Sequence, residues 1–150
     1  MKKAFTMIEL IFVIVILGTL AAVAIPKLTA TRNDAIIAGL SMSIGVTVSE
    51  IVAYAVSNGD TTIDITKMSN SAASMVNTDK AYKSDASGRK LIIKDIDGDD
   101  CIGIEVVTTA TNDDLNVSFY TSTDNICLAL QSKVDRIEYS VPIRGISIVE

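Results

Sequence analysis

The sequence predicts an α+β fold: one long N-terminal helix, its first half membrane-spanning, laid on a C-terminal antiparallel sheet of four to five strands. Three observations predict it. An almost unbroken apolar run covers residues 7–25. Apolar residues at steps of three and four follow it, from Ile37 to Ala55. From Leu91 onward strand signals follow at regular spacing between turn residues, alternating from Ile102 on. Periods of 3.6 and 2 are the signatures of a helix and of a half-buried strand.

The first element is the apolar run. Between Met7 and Ile25 only Glu9, Gly18 and Thr19 are not apolar. At 1.5 Å per residue such a helix spans roughly 28 Å, the hydrocarbon thickness of a bilayer. Lys2 and Lys3 precede it, and the next basic residue is Lys27. This asymmetry keeps the front on the cytoplasmic side and sends the rest across. Helical spacing then continues through Ile37, Leu40, Ile44, Val48, Ile51 and Ala55. Ser57-Asn58-Gly59-Asp60 supplies the stop. Pro26 lacks the N–H that would bond Ala22, so a kink or local opening is expected there. The whole helix, from about residue 6 to 57, would measure roughly 80 Å.

Residues 60–90 are rich in Ser, Thr, Asn, Lys and Asp and read as a long surface connection with a short helix near 66–77. Met42, Met68 and Met75 read as core filler. Strands are expected at 91–96, 102–106, 115–119, 126–130 and 137–141, with Ile146 and Ile148 closing the sheet. Asp97-Gly98 carries a type I′ hairpin signal. Asn112-Asp113-Asp114, Asp124-Asn125 and Pro142-Ile143-Arg144-Gly145 read as turns.

Composition narrows the function. The chain has 150 residues, 49% of them hydrophobic, with 13 Lys+Arg, 18 Asp+Glu, no His and no Trp. The absence of histidine rules out Ser-His-Asp and Cys-His catalysis within the chain. Two cysteines without histidine do not complete a structural zinc site unless carboxylates join them. The chain is therefore expected not to be an enzyme. An acidic chain without a basic run is a poor nucleic-acid binder. Lys80, Lys83, Arg89 and Lys90 beside Tyr82 form a thin basic patch, read as a solvated surface, with DNA as the less favoured partner.

Three readings compete for the N-terminus. A Sec signal would use Leu10–Leu20 as its apolar core and cut after Ala24, leaving a soluble periplasmic binding domain. A plain anchor would simply span the membrane. Neither explains Glu9, because a carboxylate in a span is costly and wants a partner. The stretch Ala4-Phe5-Thr6-Met7-Ile8-Glu9-Leu10, followed by the apolar run and Pro26, resembles the leader of type IV pilins and type II secretion pseudopilins. The resemblance covers residues 2–28. It implies a leader of residues 1–4, cleavage between Ala4 and Phe5 by a prepilin peptidase, and methylation of the new amine. Ala4 stands where the family usually has glycine; alanine is the next smallest residue, so cleavage is still expected.

The resemblance further implies that Glu9 meets the Phe5 amine of its own or a neighbouring subunit during assembly. It maps helix loosening onto Gly18 and Pro26. It gives an assembly helix at 5–26 and a head at 27–150. The implied function is a structural subunit of a pilus-like filament or a secretion pseudopilus, in a homo- or hetero-polymer with other pilin-like subunits. Its place would be the bacterial inner membrane, single-pass, with the head in the periplasm or an extracellular filament. A DNA-uptake pseudopilin shares the same leader.

Under the export reading Cys101 and Cys127 face an oxidising compartment, where such a pair usually joins. The alternatives are unpaired buried thiols or a bond formed in part of the population. The pair would pin one strand to another. Asp95, Asp97, Asp99 and Asp100 are dense enough for Ca²⁺. The EF-hand template fails, because its sixth position falls on Asp100 and its twelfth on Val106. Major pseudopilins bind calcium through an acidic loop, which adds weight to the calcium reading. The other reading is a solvated hairpin turn. Asp113, Asp114 and Asp124 would join such a site only if the fold brings their turns together.

Overall fold

The computed structural model describes residues 5–109, 112–134 and 141–144. Its elements are α1 (Met7–Asn58), α2 (Ile65–Met68), α3 (Asn70–Asn77), β1 (Ala81–Lys83), β2 (Lys90–Lys94), β3 (Asp100–Thr108), β4 (Asp113–Phe119), α4 (Asn125–Val134) and β5 (Val141–Arg144). The chain divides into two compact units, Met1–Ile36 and Ile37–Glu150.

In the first unit the residues are helical from Met7 onward and exposed along the apolar run, with Phe5, Ile8 and Val23 each more than 70% exposed. The helix passes through Gly18 and Pro26 without interruption. The opening expected at Pro26 is therefore not present: a proline removes one bond, and well-formed turns on both sides hold the helix together.

The second unit is α+β: its part of α1 packs on a five-stranded antiparallel sheet of order β1-β2-β3-β4-β5. Leu40, Ile44, Thr47, Ile51 and Ala55 form the buried stripe of α1. Thr47 takes the place that the sequence pattern gave to Val48. Register follows alternation. Leu91 faces Ile104, Ile93 faces Ile102, Val117 faces Ile104 and Leu115 faces Val106, all buried. Lys90 and Glu105, a residue out of phase, pair on the other face and form an ion pair at 3.1 Å. At about 25 cal/mol per Å² of apolar surface, the helix stripe and this sheet face together supply the main cohesion of the unit.

Several expectations are corrected. The short helix expected near 66–77 is present, as α2 and α3, but residues 60–90 are not merely a surface connection, because this segment contributes to the core. Asp64 caps α2 by accepting from the Thr66 N–H (2.9 Å), and Ser69 caps α3 by accepting from the Ala72 N–H (3.0 Å). Ile65, Met68, Ala72 and Met75, spaced as one helical face, are buried, and so is Ala81 of β1. Met42 is not core filler; it is 74% exposed.

Residues 126–130 are helix, not strand. The Asp124 carboxylate accepts from the Cys127 N–H (2.9 Å), and the buried residues Ile126, Cys127, Leu130 and Val134 follow helical spacing. Leu128, which a strand would have buried, is exposed. The turn at 95–99 is not type I′, which needs positive φ at two central residues. Only Gly98 has it there (φ +96°), and Asp95 N–H bonds the Asp99 carbonyl at 2.8 Å. Asp113 and Asp114 belong to β4, where they pair with Thr108 and Val107 of β3, and the buried Asp113 carboxylate accepts from the Thr61 hydroxyl at 2.6 Å. Pro142 lies in β5 rather than a turn. An outermost strand tolerates proline, whose missing N–H faces away from the ladder. Ile137, Tyr139, Ile146 and Ile148 lie outside the described residues.

Candidate functional site

The candidate assembly site is the start of α1. Thr6 is the N-cap and Glu9 the third helical residue. The Glu9 carboxylate accepts from the Thr6 N–H (2.9 Å) and the Thr6 hydroxyl (2.8 Å), and the Glu9 N–H donates to Thr6 Oγ1 (3.3 Å). This reciprocal arrangement is a capping box. The signal, a Thr three residues before a Glu ahead of an apolar run, is in the sequence. The box satisfies helix N–H groups that otherwise lack partners, and it places the carboxylate at the positive end of the helix dipole. Phe5 and Glu9 are both exposed and lie one turn apart. Ala4 lies outside the described residues. Gly18 and Pro26 sit inside α1, about two and a half and nearly five turns beyond Glu9. Among the described residues one helix is long and apolar enough to cross a membrane, α1, consistent with a single-pass membrane protein.

Cys101 and Cys127 form a disulfide with Cα atoms 5.7 Å apart. It joins β3 to α4, not strand to strand, because 125–134 is helical. Both sulfurs are buried. The Gln131 carboxamide reinforces the junction by donating to the carbonyls of Cys101 (3.0 Å) and Tyr120 (2.8 Å).

The acidic turn lines an open cleft of about 870 Å³ with Asp97, Asp99 and Asp100 on one wall and Thr121, Ser122, Thr123 and Asp124 on the other. The fold thus brings the Asp124 turn to the acidic hairpin; Asp113 and Asp114 are not among the lining residues. Three of these carboxylates have protein donors. Asp95 accepts from the N–H groups of Asp97 (3.0 Å) and Asp99 (2.9 Å), Asp100 from the Tyr82 hydroxyl (2.9 Å), and Asp124 from Cys127. The hydrogen bond to Asp100 raises the Tyr82 hydroxyl above its ordinary pKa. Among the described residues no three acidic, Cys or His side chains are gathered as a metal-ligand set.

Two of the four cations of the basic patch are paired. Lys83 pairs with Asp64 (2.6 Å) and Lys90 with Glu105. Partial burial pushes the Asp64 carboxyl up, but hydrogen bonds from Lys83 and Thr66 outweigh it and leave the group below its ordinary value.

A further polar junction was not anticipated. Glu50 of α1 accepts from the Ser69 hydroxyl (2.6 Å) and the Ser71 N–H (3.0 Å), so a helix side chain caps α3 from outside. These bonds, Ser69 first, hold the Glu50 carboxyl below its ordinary value. No motif announces the pairing, because its partners are about twenty residues apart.

A long N-terminal apolar helix, an antiparallel sheet and a disulfide together are consistent with a pilin-like fold. Compared with family models, curated proteins and solved structures, the chain matches none of them.

Proposed function

We propose that this chain is a structural subunit of a type IV pilus-like filament or a type II secretion pseudopilus. The observation that carries the reading is Glu9, an acidic residue held one turn from Phe5 at the head of an exposed apolar helix. In this reading the chain is a prepilin-peptidase substrate, not an enzyme. It enters the bacterial inner membrane with the head in the periplasm, is cut between Ala4 and Phe5, and is methylated at the new amine. Apolar burial between helices holds the polymer with neighbouring pilin-like subunits together. Pairing of Glu9 with a Phe5 amine sets register, because a misplaced subunit leaves one charge unpaired in lipid at a cost of several kcal/mol. Gly18 and Pro26 supply the weak backbone where the helix would loosen when packed. Glu9→Ala tests this: assembly should be lost while the head stays folded, and unchanged assembly would sink the reading.

A second reading concerns the cleft. Asp97, Asp99 and Asp100 with Asp124 and the carbonyls and hydroxyls of 121–123 offer only oxygen donors, the set that Ca²⁺ prefers. We propose the cleft as a calcium site that backbone carbonyls, hydroxyls and water would have to complete, because no three carboxylates are gathered there among the described residues; Asp95, which accepts from the Asp97 and Asp99 N–H groups, shapes the turn.

A further inference from the structure

Strand β4 alternates between two environments. Asp113, Leu115 and Val117 are buried, Asp114 and Asn116 are partly exposed, and Ser118 is exposed. Successive side chains of a strand point to opposite faces, so Asp114, Asn116 and Ser118 share the outward face of the sheet. Asn116 lies opposite Glu105 of β3, whose carboxylate pairs with Lys90 on that face.

These outward residues are spaced as an acceptor for an oligosaccharide. Asn-x-Ser with x other than proline is the acceptor pattern of N-glycosylation, and Asn116-Val117-Ser118 has it. No other asparagine of the chain stands two residues before a Ser or Thr. The chemistry needs each part. A carboxamide nitrogen is a weak nucleophile, because its lone pair is delocalised into the carbonyl. A transferase must hold and twist it, and the Ser118 hydroxyl is a handle on the same face. Asp114, two residues before the acceptor, is a second handle, a carboxylate for a cationic group of the enzyme. An extended segment presents all three to one surface while Leu115 and Val117 point away. The same alternation makes the product tolerable. A bulky, solvated sugar on Asn116 projects from the outer face, and Leu115 and Val117 keep their place in the core.

The fold also fixes the order of events. β4 lies between β3 and β5, and Asn116 is paired with Glu105. Asn116 is also inside the loop that the Cys101–Cys127 disulfide closes. A transferase that grips an extended peptide does not reach a strand in the middle of a sheet. The segment is readable before the head closes and hidden afterwards.

We propose that Asn116 is an N-glycosylation acceptor, read together with Ser118 and Asp114, and that its donor is an oligosaccharide carried on a polyprenyl pyrophosphate. Asn116 Nδ2 bonds to the anomeric carbon, the bond from that carbon to the pyrophosphate oxygen breaks, and Nδ2 gives one proton to a base of the transferase. The inference rests on export of the head, which the proposed function includes, and not on polymerisation.

The test uses the full chain, expressed in its own host and extracted from the membrane. Trypsin leaves residues 95–133 as one peptide, because no Lys or Arg lies between Lys94 and Lys133. Electron-transfer fragmentation after reduction locates any added sugar. The expected result is a glycan on Asn116, lost in Asn116→Gln and Ser118→Ala, retained in Ser118→Thr and at least tenfold less abundant in Asp114→Ala. Cys127→Ser, which leaves the loop open, should keep or raise the occupancy. An unmodified Asn116, a sugar found only on a Ser or Thr of this peptide, or a sugar that survives Ser118→Ala overturns the site. Occupancy that falls in Cys127→Ser overturns modification before folding. The N-terminus found in the same extract separates this site from the filament reading. A chain that begins at N-methylated Phe5 without a sugar removes the site and leaves the filament reading standing. A glycan on a chain that begins at Ile25 does the reverse.

Discussion

Thr6 and Glu9 close on each other: the hydroxyl and N–H of Thr6 donate to the Glu9 carboxylate, and the Glu9 N–H returns a bond to Thr6 Oγ1. One carboxylate therefore has two tasks. In the single chain it caps its own helix. In the proposed polymer it also faces an amine. The two are compatible, because capping occupies one carboxylate oxygen, Oε2, and leaves the other for a partner.

Substitutions separate these tasks. Thr6→Ala removes the cap at a cost of about 1 kcal/mol of helix stability. It should fray the first turn but leave the charge for pairing. Glu9→Gln keeps an acceptor for the Thr6 N–H and removes the charge. Circular dichroism in detergent and filament counts in cells read the two effects. Thr6→Ala should lower helicity and reduce assembly in part, whereas Glu9→Gln should keep helicity and abolish assembly. Full assembly with Glu9→Gln would show that charge is not used.

The disulfide is expected to carry much of the head's stability. It closes a loop of about 27 residues, worth roughly 3.5 kcal/mol in the chain-entropy model. Cys127→Ser should lower the melting temperature by on the order of 10 °C. Differential scanning calorimetry checks this. A shift of a degree or two would mean that Gln131 and the packing of Leu130 and Val134 hold α4 unaided.

The Glu50 junction gives a pH dependence with a definite sign. Its carboxyl is held below its ordinary value when folded, first by the Ser69 hydroxyl, and returns to that value when unfolded. A depressed folded value means that the stabilisation is present above the unfolded value and is lost as pH falls through the folded one. Glu50→Ala should cost about 2 kcal/mol at pH 7, as expected for hydrogen bonds to a charged group. The difference from the unsubstituted chain should shrink as pH falls through and below the ordinary carboxylate range. Urea titrations at pH 7 and pH 3.5 test it; an equal difference at both would place the effect in packing instead.

The cleft predicts a calcium response. Added Ca²⁺ should raise the melting temperature of the head, and Asp97→Asn with Asp99→Asn should remove that rise. If the rise persists in the double substitution, the bound ion is elsewhere; with no rise in either chain, the acidic turn is only a solvated hairpin.

Much of the fold is legible in the sequence, and the reasons are physical. The apolar run, the buried stripe of α1 and strands β2, β3 and β4 rest on strong periodicity over many residues. The pairing of Cys101 with Cys127 followed from compartment and number. Helix α4 was misread because Ile126, Leu128 and Leu130 alternate as well as they spiral; the deciding feature is Asp124 as a cap, with Val134 beyond. The helix near 66–77 was legible, but its break at Ser69 into α2 and α3 and the burial of Ile65, Met68, Ala72 and Met75 were not, because those four residues are scattered among polar ones. Of the candidate site, Phe5 and Glu9 stood out by chemistry. The Thr6 cap and the Glu50 junction did not, the first because another reading absorbed the motif, the second because only folding brings its partners together.

The most direct test of the account is the intact mass and N-terminal sequence of the protein extracted from its native membrane. The filament reading predicts a chain that begins at N-methylated Phe5 and is lighter by two hydrogens than the form with two free thiols. A chain that begins at Ile25 would mean an exported soluble domain, with Glu9 discarded in its signal, and would contradict the account.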